Sequence, residues 1–411
     1  MSESGKTAPR VSTLPLNHHL LPHDILFEIL SKLPAKSLVR FRCVNKFFYA
    51  LIADHAFGVL HRSLSLTLPS RAGILFAIIP RTLLSDVSSA PPYYTINTFS
   101  EENLQANRLG YLDSDEPLLR GGLHSSSDGL ICLSRPNGDV VVCNVSTGQR
   151  ISLPRFQFNS SNPIKTCALL GFDSQSKRYK VLMNDRRRSI SEYKHWVLTV
   201  GVDKSWREIN YSSHPFCPFD GFGCAGLSHT TVHIDGVIYS YNWISRDVPP
   251  SFHIVAFEVG SESYSLIPIP AEVPSEFSTL DKFGEKYHFS NFVNRNFALL
   301  QVDGGGLAIV YVRNIDMNVW ILEKSKGCWE KITTIIPFNL RVEKSTEYRY
   351  TTNHAGEIVL LGKNSKQFTI WVCNSKSKVW RKFDISGVEF PICFPMEVRM
   401  YKTMDNVFSI E

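Results

Sequence analysis

No stretch of this chain approaches the ~18 uninterrupted apolar residues that a membrane-spanning helix needs, although 43% of its 411 residues are hydrophobic. The first twenty residues contain Lys6 and Arg10 but no apolar run, so they do not read as a secretory signal. Residues 1–19 are expected to be a disordered leader. Cysteine is sparse and lacks any pairing pattern: nine residues, an odd number, scattered from Cys43 to Cys393. Most sit in apolar runs such as Ile131-Cys132-Leu133 and Val142-Cys143-Asn144. Reduced, buried thiols in a cytoplasmic or nuclear protein are the expectation, and the sequons at Asn144, Asn159 and Asn210 then go unmodified. An excess of one charge is also missing. A formal +6 permits an acidic partner without calling for nucleic acid.

Catalytic and cofactor frames are missing too. No Gly-x-Ser-x-Gly or His-Glu-x-x-His arrangement organises the serines, histidines and acids, so no catalytic set and no cofactor is assigned. His214, Cys217, Cys224 and His229 have zinc-compatible side chains. Their six-residue gap is too loose for the tight Cys pairs that tetrahedral zinc favours, and no metal site is assigned. Gly304-Gly305-Gly306 lacks the Lys-Ser/Thr of a phosphate loop and reads as a hairpin turn. Arg186, Arg187 and Arg188 form the densest basic patch, but no stacking aromatics at nucleic-acid spacing accompany it.

What the chain does have begins at Leu21. Pro22 suits a helix start, with acidic Asp24 in the first turn. Ile25, Leu26, Ile29, Leu30 and Leu33 recur at three- and four-residue steps, the spacing of one helical face. Pro34 punctuates. A second apolar stripe holds Leu38, Val39 and Phe41, and a third holds Val44, Phe47, Phe48, Leu51 and Ile52. Three short helices of this size rarely bury enough surface to stand alone. With no metal cluster or cysteine pair in the segment, a protein partner is implied.

These residues carry a resemblance. Leu21-Pro22, Asp24, Glu28-Ile29-Leu30, Leu33-Pro34, Leu38, Arg42-Cys43-Val44 and Leu51-Ile52 resemble the F-box, with Phe57 and His61 fitting the way many plant members end. The chain departs from the family's Val-Cys-Lys-x-Trp with Val44-Asn45-Lys46-Phe47-Phe48. Phe48 can take the apolar role of the Trp, whereas Asn45 puts a polar group where a thiol normally packs. The resemblance implies an F-box domain over 20–62 that docks a Skp-family adaptor and, through it, a cullin. The adaptor contacts it implies are Leu21, Pro22, Ile25, Ile29, Leu30, Leu33, Pro34, Leu38, Val44 and Phe48.

From about residue 120 a unit of four short strands recurs five times, at a period of ~50–65 residues, with Gly, Asp, Asn, Ser and Lys in the turns. The fourth strand often opens on an aromatic, as at Trp206, Tyr264 and Trp329. Such sets are the pattern of propeller blades. The apolar runs Leu64–Pro80, Tyr93–Phe99 and Val398–Ile410 lie outside the five units. They are expected to share a closing blade that removes the sheet edge. The fold expected is therefore mostly β: a small three-helix domain followed, over 63–411, by a propeller of about six blades, with five or seven open.

The order of Leu170-Gly171-Phe172-Asp173, Tyr179-Lys180-Val181, Ser205-Trp206-Arg207, Asp235-Gly236-Val237-Ile238-Tyr239 and Val319-Trp320-Ile321-Leu322-Glu323 is similar to the plant F-box-associated, kelch-like interaction domain. That resemblance implies a surface that recruits a protein for ubiquitylation, in a non-enzymatic receptor subunit of an SCF-type ligase. Candidate target contacts are the aromatics of the long connections, Phe216, Phe219, Phe222, Phe283, Tyr287 and Phe289, together with Arg186, Arg187 and Arg188. The target itself is not named by the sequence. The alternatives are a scaffold never assembled into a ligase, and a propeller enzyme using its central channel.

Overall fold

A computed structural model describes residues 21–80, 95–99, 106–109, 122–135, 137–157, 167–186, 193–209, 231–244, 251–273, 297–302, 305–313, 315–337, 349–363, 368–386, 396–408 and 410. The expected leader, residues 1–19, lies outside them.

Four helices open the chain: α1 (His23–Ser31), α2 (Ala35–Arg42), α3 (Lys46–Ala53) and α4 (His55–Thr67). Prolines set the first two starts, Pro22 before α1 and Pro34 before α2. Side chains cap the next two. Asn45 Oδ1 accepts from Phe48 N at 2.9 Å, and Asp54 Oδ1 accepts from Ala56 N at 2.8 Å. Asn45 thus starts α3, which accounts for a polar residue at a position where the family pattern has a thiol. The three expected helices are followed by a fourth, α4, which continues to Thr67 and leads into the first strand.

The helices enclose a small core of Leu30, Ala35, Leu38, Leu51, Ile52 and Phe57, with Phe27, Leu33, Phe41 and Phe48 packed against it. One further member, Val407, arrives from the other end of the chain. Arg71, nearly buried, ties the helices to the first strand by donating to Ser31 O, Leu33 O and Ser65 Oγ.

All described strands fall into six antiparallel four-stranded sheets. The first unit is β4 (Gly122–Ser127), β5 (Leu130–Ser134), β6 (Val140–Asn144) and β7 (Arg150–Ser152). The second is β8 (Cys167–Asp173), β9 (Arg178–Arg186), β10 (Tyr193–Thr199) and β11 (Arg207–Ile209). The third is β12 (Thr231–Ile234), β13 (Val237–Ile244), β14 (Ser251–Glu258) and β15 (Ser263–Pro268). The fourth is β16 (Phe297–Val302), β17 (Gly306–Arg313), β18 (Asp316–Glu323) and β19 (Cys328–Ile335). The fifth is β20 (Arg349–Thr352), β21 (Ile358–Lys363), β22 (Phe368–Cys373) and β23 (Trp380–Ile385). These are the five units read from the repeat. The closing blade is the expected composite: β1 (Ala72–Pro80), β2 (Thr95–Phe99) and β3 (Ala106–Arg108), completed by β24 (Met396–Met404). β24 pairs with β1 along nine residues, from Ala72 opposite Met404 to Pro80 opposite Met396. The blade count among the described residues is six, and the composite sheet joins the two ends of the chain to close the ring.

The core is a ring of interfaces between neighbouring sheets. Leu130, Val142, Leu170, Tyr179 and Leu198 fill the space between units one and two, and Leu169, Ile238 and Phe257 that between two and three. Leu299, Ile309 and Trp320 join Tyr239 and Ile254 between three and four. Val310, Val319 and Leu360 lie between four and five. Phe76 and Ile370 lie between five and the closing blade, and Leu75 and Ile131 between that blade and unit one. A sheet with two apolar faces has no stable existence outside such a stack.

Turns and strand ends hold the repeat in register. Asp128-Gly129 and Asp235-Gly236 both take left-handed backbone, φ 51° and 83° in the first pair and 49° and 85° in the second. This is the pairing that two-residue hairpins demand. The aromatic that opens the fourth strand reaches across blades: Trp206 Nε1 donates to Pro154 O at 2.6 Å and Trp329 Nε1 to Pro268 O at 2.8 Å. Each ties a unit to the end of the one before it. Gly305 lies in the hairpin turn expected for the triple glycine, with φ 116°.

Candidate docking faces

The exposed large apolar residues are concentrated on the helices. Leu21, Ile25 and Ile29 are 42%, 43% and 47% exposed, and Val44, before α3, is 63% exposed. A spacing of four places Ile25 and Ile29 in one row along α1, and Leu21 lies just before its start. Phe47 and Tyr49 of α3 are exposed as well, and His23 stands edge-on to Phe47 at 6.4 Å. A connected apolar surface of this kind is unusual for a face meant to stay in water.

The expected adaptor contacts therefore divide. Leu21, Pro22, Ile25, Ile29, Pro34 and Val44 are exposed. Leu30 and Leu38 are 3% and 0% exposed and belong to the internal core of the helices. Leu33 and Phe48 lie half-buried against that core. Phe48 meets Phe41 edge-on at 5.5 Å, the apolar role expected of it. Phe47, read from the sequence as part of the third apolar stripe, and Tyr49 were not among the expected adaptor contacts. The apolar run Phe47-Phe48-Tyr49-Ala50-Leu51-Ile52 is amphipathic only once the Asn45 cap fixes where the helix starts.

The helices sit on one end of the ring. Arg62 of α4 donates from Nε to Asp128 Oδ2 at 2.9 Å, and its guanidinium lies 3.6 Å over the Phe172 ring. Burial pushes the Asp128 carboxyl upward, but the Arg62 charge beside it, helped by the hydrogen bonds between them, holds it below its ordinary value. His233 lies beneath. Phe172 N donates to its Nε2 at 3.2 Å, so the ring proton is on Nδ1, which faces Ser127 Oγ at 3.0 Å. Burial lowers the pKa of His233 and keeps it neutral.

A cavity of about 120 Å³ runs along the ring axis. The inner strands of all six blades line it, and Leu66 of α4 reaches its rim. Inside it Lys402 Nζ donates to Gln301 Oε1 at 3.4 Å, and burial lowers its pKa. Among the described residues no group of three His, Cys, Asp or Glu side chains is placed to hold a metal ion. His214, Cys217, Cys224 and His229 are outside the described residues.

Strand direction separates the two ends of the ring. Asp128 lies in the β4–β5 turn, so in each antiparallel unit the first-to-second and third-to-fourth turns share the end that carries α4. The second-to-third and unit-to-unit connections leave from the opposite end. Arg186, the last residue of β9, is at that far end, opposite Tyr193. Arg187, Arg188, Phe216, Phe219, Phe222, Phe283, Tyr287 and Phe289 lie outside the described residues. The strands flanking them end on the far side.

The chain is thus a small helical module with exposed apolar side chains, set on one end of a six-bladed propeller. Residues 98–407 match the F-box-associated β-propeller domain, and residues 19–60 match the F-box domain. The chain belongs to the F-box-associated β-propeller family. It is 29% identical to F-box protein At5g65850 of Arabidopsis thaliana over 327 residues, 77% of this chain and 71% of that one. It is 27% identical to F-box protein At4g19940 of the same plant over 392 residues, 89% and 86% of the two chains. F-box/kelch-repeat protein At4g19930, also from Arabidopsis thaliana, is 28% identical over 376 residues, covering 84% and 76%. Among solved structures, the six-bladed lectin of Aleuria aurantia aligns with 75% of this chain and 94% of its own, at 11% identity and a TM-score of 0.39.

Proposed function

We propose that the chain is a non-catalytic receptor subunit of an SCF-type ubiquitin ligase. Its helices dock a Skp-family adaptor, which connects it to a cullin, and its propeller binds the protein to be modified. The observation that carries this reading is the exposed row Leu21, Ile25, Ile29 and Val44 on a module whose core is otherwise closed. Covering that row removes apolar surface from water, and the buried layer of Leu30 and Leu38 keeps it in shape for a partner. The domains proposed are the F-box over 20–62 and the interaction domain over 63–411.

Target recognition is assigned to the far end of the ring, where Arg186 lies and from which the connections holding the candidate aromatics leave. Adaptor and target then occupy opposite ends of one body. Such a receptor needs no reactive group of its own. It holds target lysines near the charged ubiquitin carrier and raises their effective concentration there. The buried thiols fit a cytoplasmic or nuclear setting: Cys132, Cys143 and Cys373 are buried and form no disulfide, and burial pushes the Cys373 thiol up to about 12. Asn45, the polar departure from the family's pattern, is accounted for by its cap on α3.

The experiment is co-expression with a Skp-type adaptor followed by size-exclusion chromatography. The intact chain is expected to elute as a stoichiometric complex, whereas Leu21→Ala/Pro22→Ala and a chain lacking residues 1–62 do not. An intact, monomeric chain that ignores the adaptor overturns the reading in favour of a scaffold.

A further inference from the structure

We propose that residues 405–408 form a two-sided strap that sets the angle between the adaptor-docking helices and the propeller, with Asp405 and Val407 as its positioning residues. This rests on the receptor reading above and adds to it a means of fixing where a bound target points.

The contacts of successive residues carry the argument: Asp405 and Val407 reach the helices, while Asn406 and Phe408 reach the ring. Asp405 faces the helices. Its Oδ2 accepts from Ala35 N at 2.6 Å, at the first turn of α2, where a carboxylate is favoured both by an unpaired N–H and by the helix dipole. Its own N–H donates to Arg71 O at 2.7 Å. Asn406, fully buried, faces the ring: Nδ2 donates to Asp128 O at 2.7 Å and lies 3.3 Å from Tyr179 Oη. Val407 turns back into the helical core beside Leu38 and Phe57. Phe408 turns to the ring again, stacked edge-on against Tyr179 at 5.0 Å, and Asn144 Nδ2 donates to its carbonyl at 3.2 Å. Ile410 ends in the same inter-blade core.

The helices come very close to this strand of chain. A Cβ on Gly58 of α4 would stand 3.1 Å from the Phe408 Cα, and His55 meets the Phe408 ring at 5.2 Å. The other direct joint, Arg62 with Asp128, lies against the same turn that Asn406 holds. Three attachments therefore converge on one place: α2 through Asp405, α4 through Gly58 and Arg62, and the helical core through Val407. A single attachment leaves a swivel, whereas attachments spread over α2, α4 and the helical core restrain a direction.

The full chain is tested with spin labels carried on unnatural residues at Lys36 and Lys382, two exposed positions in different domains, and read by pulsed dipolar spectroscopy. The intact protein is expected to give one narrow distance distribution, with or without a Skp-type adaptor. Asp405→Ala/Val407→Ala, which leaves the ring-facing Asn406 and Phe408 in place, is expected to widen that distribution at least about twofold. The melting of the ring should stay unchanged. Gly58→Ala, which crowds the strap from the helical side without removing any of its groups, is expected to shift the mean distance. A broad distribution in the intact chain overturns the proposal, as does one equally narrow in both variants. So does loss of ring melting in step with the widening, since the strap would then be ordinary core. If the intact chain ignores the adaptor, the receptor reading and the positioning role fall together. The distances measured on the free chain still decide whether the strap sets the angle.

Discussion

Arg62 and Asp128 form the polar joint between the helices and the propeller, and both side chains are close to fully enclosed, at 12% and 13% exposure. An ion pair this enclosed adds little net stability over an apolar contact of the same shape, yet breaking it on one side strands a charge. Arg62→Ala is therefore expected to destabilise the chain by about 3 kcal/mol, and Arg62→Ala/Asp128→Asn by clearly less. Denaturant midpoints of the single and double variants check this. Equal midpoints for the two would contradict it.

Exposure separates two kinds of residue within the F-box. Ile29→Asp changes a side chain that is 47% exposed, and is expected to abolish adaptor binding with no change in circular dichroism or melting. Leu38→Ala empties a fully buried site and is expected to cost about 2–5 kcal/mol, so that any adaptor loss follows from unfolding. Pull-down alongside thermal melting distinguishes the two.

Two glycines are required for different reasons. A Cβ at Gly171 would stand 2.6 Å from Val259 Cγ2 and 3.1 Å from Ile238 Cδ1, across the interface between units two and three. Gly171→Ala should destabilise the ring by about 1–3 kcal/mol through overpacking. Gly129 has φ 83°, and a Cβ there would approach Met404 O to 2.2 Å. Backbone yields less readily than a side-chain tip, so Gly129→Ala is expected to be the more damaging of the two in the same denaturation assay.

Acid should loosen both domains in stages. Burial lowers the pKa of His61 in α4 and His233 in β12 from the ordinary 6.5, and pushes that of His195 in β10 down to about 3. A histidine held neutral by the fold takes up its proton more readily when unfolded, so its contribution is complete above pH 6.5. It is lost as pH falls toward the folded-state value. Asp128 and Glu262, held below the ordinary carboxylate values of 3.8 and 4.5 by Arg62 and Arg207 among others, add a second loss at lower pH. Melting temperature measured from pH 8 to 4 is expected to decline from about pH 6.5 downward. His61→Phe should flatten the upper part of that decline. A flat profile through this range contradicts the assignment.

Much of this architecture was legible in the sequence, because blades are local. Each hairpin is announced by its own turn residues, Asp128-Gly129 and Asp235-Gly236 among them, and the fourth-strand tryptophans repeat in step. The closing blade was legible by elimination, as apolar runs without a unit to join. What could not be read was which side of a helical stripe faces inward. Leu30 and Ile29 are adjacent and equally apolar, yet one lies in the core and the other in solvent, and only packing decides between them. The strap was equally hidden. Asp405 finds its partner 370 residues away, and a single carboxylate in a short polar–apolar alternation gives no local hint that it caps a distant helix.

The pairing of β24 with β1 bears on the life of a growing polypeptide. Synthesis delivers the adaptor-docking helices first and the innermost strand of the closing blade only after every other strand of the ring. A product interrupted anywhere before Met396 would present its docking row while the ring stays open and the helices lack their anchor. Under the proposed function, competence to occupy a ligase therefore precedes competence to aim one, and stalled or truncated products would block adaptors without delivering anything to them.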